Sequence, residues 1–345
     1  MASYYPNMET LYAKLKNIGF DKKFVKKMLP DWWDEECETH PDGILEGVLY
    51  ISRRLNLELN SLLDDSFIPK IKAPCLPKFK LSTKVNEPNR LLISCSLASR
   101  IAELTSFACK NEYQNIANLS VTDIRQAILE NNSYISLENT LDFCWNMGIP
   151  VVHFAELPKG ANKFDGMVAI YDGRPVIIIS RKDKSESKLL FIVLHELGHI
   201  HSNHINNEYW IDENIELDST NSEEIEANQF ANLILFNNSE INYDLKQPRP
   251  KSSGEGFAKF AQQHSDLNLG ISPQAIINNL AWHRANGTEK KNVKNIVYGS
   301  AKKALKIVGE DSDAPTIINN KLKNNLAWDN LSEDNQEYLE IMTAL

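Results

Sequence analysis

The chain has 345 residues, of which 42% are apolar and 24% charged, and its net charge is −9. This composition is typical of a soluble globular protein that is long enough for two or three domains. The sequence contains no run of about 18 apolar residues that could span a membrane, and its N-terminus lacks the basic and apolar segments of a secretory signal. These features exclude a membrane partner and predict a cytoplasmic protein.

The five cysteines are widely spaced, odd in number and without a C-x-x-C pair. This pattern excludes a disulfide framework and a zinc site built from cysteines. Reduced and mostly buried side chains are expected at Cys37, Cys75, Cys95, Cys109 and Cys144.

Residues 1–65 are predicted to form an N-terminal helical domain. Apolar residues recur there at helical spacing, and Gly19 and Pro30 interrupt the pattern, so four short helices are expected. Such a domain could be of the helix-turn-helix type, although the segment is not basic enough to make DNA binding the first choice. Docking of a protein partner is the alternative.

A linker is predicted at residues 66–89, because prolines and lysines alternate there without helical periodicity. Helical patterning returns over residues 90–147, which should lead directly into the next domain. The last helix of this segment is expected to end at Gly148.

After Pro150 the apolar pattern changes from helical to extended, which predicts a small sheet. Asp172 and Gly173 form a dipeptide that favours a type I′ hairpin turn between two of its strands. The sheet could support the helix that follows, pair at one edge with an extended substrate peptide, or do both. The strands are expected at residues 151–154, 167–171 and 176–179.

Residues 189–204, LLFIVLHELGHIHSNH, are predicted to form one buried helix that carries the chemistry of the chain. His195 and His199 are four apart and therefore project from the same face, where two imidazoles can bind one metal ion. Glu196 can point at a water on that metal and act as a general base. The alternative is a chance H-E-x-x-H pattern in a helix with several polar residues.

A third ligand is expected from the acidic helix at residues 221–236, whose first turn carries Glu223, Glu224 and Glu226. Glu224 and Asn228 are four apart and share a face, which leaves Glu226 on another. Glu224 is therefore predicted as the ligand, and Asn228 as a group that orients a ligand. For each glutamate alone, the alternative is a solvated position favoured by the helix dipole.

Residues 246–345 are predicted to form a C-terminal helical extension that is first basic and then mixed in charge. Residues 188–244 contain eleven acidic residues and one lysine, whereas residues 246–306 contain eleven basic residues and three acidic ones. The basic segment could bind a phosphate backbone, so DNA is a possible partner of the helical flanks. The alternative is a solvated surface that neutralises its acidic neighbour. Helices are expected from Phe257, from Ser272 as N-cap, between Ile317 and Trp328, and from Glu333.

The strands, hairpin and histidine helix, followed by the run EIEANQFANLIL, resemble the ImmA/IrrE family of zinc metallopeptidases. The resemblance covers roughly residues 148–240, and its paired motifs are specific. It implies that His195, His199 and Glu224 hold Zn²⁺ and that Glu196 is the catalytic residue.

The chain departs from the family pattern at His201 and His204, where many members are apolar or unremarkable. These two histidines could bind a second metal or form a pH-sensitive contact. The expectation, however, is that both are exposed residues at a helix end.

The predicted fold is therefore α+β: a zincin-like peptidase core at residues 148–245, flanked by mainly α-helical domains. The resemblance implies a zinc metalloendopeptidase that cleaves one specific protein, such as a transcriptional repressor or an antitoxin-like regulator of a mobile element or stress response. The alternative is a regulator or antitoxin-like binding module that uses the zincin fold as a sensor without proteolysis. The intact Glu196 favours the enzyme.

Overall fold

The computed structural model describes residues 7–63, 68–72, 78–79, 88–161, 164–205, 210–212, 221–268, 270–311 and 313–345. Helices dominate these residues and surround a small sheet, which confirms the predicted α+β fold. Cys75 and most of the predicted linker at 66–89 lie outside the described residues. Of the other four cysteines, Cys95 and Cys144 are buried, whereas Cys37 and Cys109 are partly buried, and these four form no disulfide with one another.

The N-terminal half is helical, and several of its helices begin at a capping side chain. Asn7 Oδ1 accepts a hydrogen bond from the backbone nitrogen of Glu9 at 2.8 Å, where the first helix starts. Ser136 and Asn139 form a capping box at the start of the seventh. The helices are α1 (Met8–Asn17), α2 (Lys22–Lys27), α3 (Pro41–Arg54), α4 (Leu59–Leu63), α5 (Pro88–Ala108), α6 (Val121–Leu129) and α7 (Leu137–Asn146).

Among the described residues, the sheet contains five short strands in the order β1-β5-β3-β4-β2. Its centre is an antiparallel hairpin, in which Asp172 and Gly173 have φ angles of 50° and 77°. Two positive φ values define the type I′ turn that the sequence predicts. The strands are β1 (Lys78–Phe79), β2 (Val151–His153), β3 (Gly166–Tyr171), β4 (Arg174–Ile179) and β5 (Trp210–Asp212).

Each strand of the central hairpin also pairs with a further strand on its outer side. Strand β5 runs antiparallel to β3, with Asp212 opposite Gly166, and β1 runs parallel to β5. Strand β2 runs parallel to β4, and its other side meets the side chain of Asn319, which bonds to the backbone nitrogen and oxygen of His153 at 3.0 and 2.9 Å. Within the described residues, β3 is therefore an interior strand.

Helix α8 (Glu186–His201) lies against β3 and β4 and packs along α9 (Ser222–Phe236). The two helices approach closely at Gly198, where an added Cβ would lie only 3.0 Å from the Cα of Ala227. A methyl group at this position would force the backbone of α9 to move by a few tenths of an ångström, so glycine suits this close approach. This contact brings the first turn of α9 to the polar face of α8.

After α9, the described residues form five more α-helices, and the sequence pattern predicted four of them. Ser272 Oγ accepts a hydrogen bond from the backbone nitrogen of Ala275 at 3.1 Å, as expected for an N-cap. None of the described helices is long and apolar enough to cross a membrane. The bounds are α10 (Gly254–Leu267), α11 (Pro273–Asn286), α12 (Lys291–Ile307), α13 (Ala314–Asn325) and α14 (Glu333–Thr343), of which α12 was not predicted.

A buried arginine joins α3 to α14. Arg54 is only 1% exposed, and its Nε donates a hydrogen bond to Asp334 Oδ1 at 2.9 Å. Its guanidinium also forms an ion pair with Glu337. A buried guanidinium needs such partners, because an unpaired charge in the protein interior is strongly destabilising.

Candidate metal centre

The polar face of α8 lies in the protein interior. His195, Glu196 and His199 are each 0% exposed, although the helix is otherwise largely apolar. Glu224 enters from the first turn of α9 and is 2% exposed. Four ionisable side chains are therefore buried together, which is costly unless they share a compensating group.

Three of these side chains converge on one point. His195 Nε2 and His199 Nε2 are 3.1 Å apart, and the carboxylate of Glu224 lies 3.5 Å from the first and 3.8 Å from the second. One ligand atom from each of the three side chains lies within 4.8 Å of the other two, so the group could hold a metal ion.

These spacings fit a small divalent cation. A tetrahedral ion with ligand bonds of about 2.0–2.2 Å separates its ligand atoms by about 3.3–3.6 Å, and the three distances at the centre bracket that range. Glu224 Oε1 is also buried without a hydrogen bond from any described residue. A cation between the three side chains would satisfy that oxygen and remove the cost of burying the carboxylate.

Asn228 lies one turn beyond Glu224 and contacts the other side of a histidine ring. Its Oδ1 is 3.0 Å from His195 Nδ1. Because an amide oxygen only accepts hydrogen bonds, the Nδ1 of His195 carries a proton. In the tautomer that has this proton alone, the Nε2 lone pair faces the centre. The structure thus brings Asn228 to the place expected of a group that orients a ligand.

Glu196 faces the sheet at Gly166, the first residue of β3. A Cβ built on Gly166 would lie 2.1 Å from Glu196 Oε1 and 2.7 Å from its Cδ. The absence of a side chain at this position therefore provides the space that the carboxylate occupies. The sequence analysis did not predict this role of Gly166, because the role depends on how closely β3 approaches α8.

Gly166→Ala is expected to keep the fold and the bound metal but to slow the peptide cleavage that the sequence predicts by about 10²-fold. The added methyl group must displace the carboxylate of Glu196, the predicted general base, and a shift of about 1 Å in such a group can cost that much. The measurement compares the cleavage rate and the bound metal of the variant with the wild type.

Gly299→Ala is the matched control, since an added Cβ there meets nothing within 4 Å. It should leave cleavage unchanged. Full activity of Gly166→Ala would show that Glu196 does not need this space.

The two additional histidines differ from the expectation of exposed helix ends. His204 is 9% exposed, and its Nδ1 lies 2.9 Å from His199 Nδ1. His201 is partly buried, with its Nε2 3.0 Å from the backbone oxygen of Leu119. The expectation was wrong because the chain turns back after α8 instead of continuing into solvent. The sequence signal was Asn203, a residue that commonly ends a helix in the left-handed conformation.

His195, His199 and Glu224 form a metallopeptidase-like centre, in which Glu196 directly follows the first histidine. Residues 147–260 match the model of the Peptidase_M78 family, described as the IrrE N-terminal-like domain. This match covers about a third of the chain and confirms the resemblance of this segment to the ImmA/IrrE family. The search of curated proteins and the search of solved structures each gave no match.

Proposed function

We propose that the protein is a zinc-dependent metalloendopeptidase. The observation that carries this proposal is the convergence of two imidazole nitrogens and one carboxylate, within 4.8 Å of one another, in the protein interior. Two histidines and a glutamate are a ligand set of catalytic zinc sites, which leave a further coordination position open. The family match of residues 147–260 supports the same activity.

His195, His199 and Glu224 would hold the Zn²⁺, which lowers the pKa of water and polarises the scissile carbonyl when bound. Glu196 would act as the general base: its carboxylate accepts a proton from the attacking water and passes it to the leaving amine. Full burial of Glu196 keeps this proton transfer away from bulk solvent. Asn228 would hold the His195 ring in the orientation that metal binding needs.

We further propose that the substrate is one specific protein, a transcriptional repressor or an antitoxin-like regulator. The ImmA/IrrE resemblance supports this substrate class. The helical segments on both sides of residues 147–260 support narrow specificity, because they offer surfaces that could contact a folded substrate far from the cleaved bond.

The proposal is tested by metal analysis together with cleavage assays. The purified chain should contain about one equivalent of zinc, as one three-ligand site requires. Incubated with the repressors encoded beside its gene, it should cut one of them at a defined bond, and a chelator should stop the reaction. A well-folded chain that takes up no zinc would refute the proposed centre, and a zinc-loaded chain that cleaves none of them would refute the proposed substrate.

A further inference from the structure

Helix α8 ends in a turn that reverses the chain. The backbone nitrogen of His204 donates to the oxygen of His199 at 3.1 Å, and that of Asn203 donates to the oxygen of Ile200 at 3.2 Å. Asn203 has a φ of 53°. This pair of bonds around one left-handed residue is a Schellman motif, and it folds His204 back over the last turn of the helix.

The turn places the His204 ring between a candidate metal ligand and a carboxylate. Its Nδ1 lies 2.9 Å from His199 Nδ1, and its Nε2 lies 3.0 Å from Glu226 Oε2. The His199 and His204 ring centroids are 5.1 Å apart. His204 is buried, whereas the Glu226 side chain is 60% exposed. The series of contacts from His199 through His204 to Glu226 therefore runs from the metal centre to the surface.

With a cation between the Nε2 atoms of His195 and His199, one arrangement of protons satisfies the contacts from His199 through His204 to Glu226. The Glu226 carboxylate only accepts, so His204 Nε2 donates to it. The Nδ1 of His204 then carries a lone pair, which accepts a hydrogen bond from His199 Nδ1. The Nε2 of His199 is thereby left with a lone pair directed at His195 Nε2 and Glu224. This is the tautomer that metal binding needs.

We propose that His204 and Glu226 are positioning residues for the metal ligand His199. This inference rests on the proposed function, since it assigns a role at the same centre. Glu226 orients His204, and His204 fixes the ring orientation and the tautomer of His199 and increases the basicity of its Nε2. The two histidine ligands are thus held differently: His195 by the neutral amide of Asn228, and His199 by an imidazole backed by a carboxylate.

The test measures zinc affinity by chelator competition with the full chain at one fixed pH. His204→Ala should bind zinc about 10 to 100-fold more weakly than the wild type, as is usual when a group behind a metal ligand is lost. His204→Asn should recover part of this loss if its amide oxygen can accept from His199 Nδ1. Glu226→Gln should cause a smaller loss than His204→Ala, because the amide oxygen still accepts from His204 but carries no charge.

Glu223→Gln is the matched control, since it removes the same charge from the same helical turn without contacting His204. If it weakens zinc binding as much as Glu226→Gln, the effect is general electrostatics and the proposed role of Glu226 is wrong. Far-ultraviolet circular dichroism establishes that each variant is folded. Should His204→Ala fail to fold, His204→Asn and Glu226→Gln carry the comparison.

A spectroscopic measurement tests the tautomers directly. Long-range ¹H–¹⁵N correlations of the zinc-loaded chain, labelled at histidine, should show His199 protonated at Nδ1 and His204 protonated at Nε2. A His204 protonated at Nδ1, or unchanged zinc affinity in His204→Ala and His204→Asn, would overturn the inference. A wild-type chain that binds no zinc would instead refute the proposed function, so the two failures are distinguishable.

Discussion

Glu196→Gln is expected to keep the fold and the metal of the wild-type chain while slowing peptide cleavage by about 10² to 10⁴-fold. The amide has nearly the shape of the carboxylate, so it fits the space beside Gly166. It cannot, however, accept the proton of the attacking water. The measurement is the cleavage rate of a regulator substrate by zinc-loaded wild type and variant, with metal content determined on the same samples.

The same variant separates an enzyme from a sensor that uses the zincin fold without proteolysis. A sensor should respond as well with glutamine as with glutamate at position 196, because binding alone drives its output. The regulated response in cells is therefore measured beside the cleavage rate. An unchanged response in Glu196→Gln with zinc still bound would contradict the peptidase and favour the binding module.

Glu224→Ala is expected to lose most of its zinc, because among the described residues it removes the one carboxylate grouped with the two imidazole nitrogens. The remaining pair of histidines leaves the ion with too few protein ligands for a catalytic site. Since the substitution also removes a buried carboxylate, the metal-free variant should fold at least as stably as the metal-free wild type. Zinc content after dialysis and thermal unfolding without metal measure these two effects.

Glu223→Ala is the comparison for Glu224→Ala, because the two residues are adjacent and Glu223 is only partly buried. It should retain zinc. If Glu223→Ala loses zinc while Glu224→Ala keeps it, the metal centre is not the one that the described side chains form.

Local periodicity was sufficient to predict which side chains of the candidate site share a helical face. The four-residue spacings of His195 with His199 and of Glu224 with Asn228 place each pair on one helical face, whatever the rest of the fold. The type I′ turn was equally predictable, since an Asp-Gly dipeptide tolerates two positive φ values. These features depend on residues that are close in sequence.

The missed features depend on contacts between separate segments or on the geometry of a helix end. Gly166 matters because β3 passes beside Glu196, and no local pattern encodes that approach. His204 is five residues from His199, a spacing that faces the ligand only when Asn203 adopts a left-handed conformation. Strands β1 and β5 are too short to give an alternating pattern. Helix α12 is different: its apolar residues Val293, Val297, Ala301 and Leu305 recur every four positions, so it could have been predicted.

The ion pair between Arg54 and α14 has a consequence for the order in which the protein folds. Its partners Arg54 and Asp334 are 280 positions apart in the chain, so the contact forms only after a very long loop has closed. Contacts of such separation slow folding. During synthesis from the N-terminus, the guanidinium of α3 must wait for its carboxylates until the segment containing α14 has been made. Until then, the Arg54 guanidinium lacks the α14 residues that pair with it, and water must take their place.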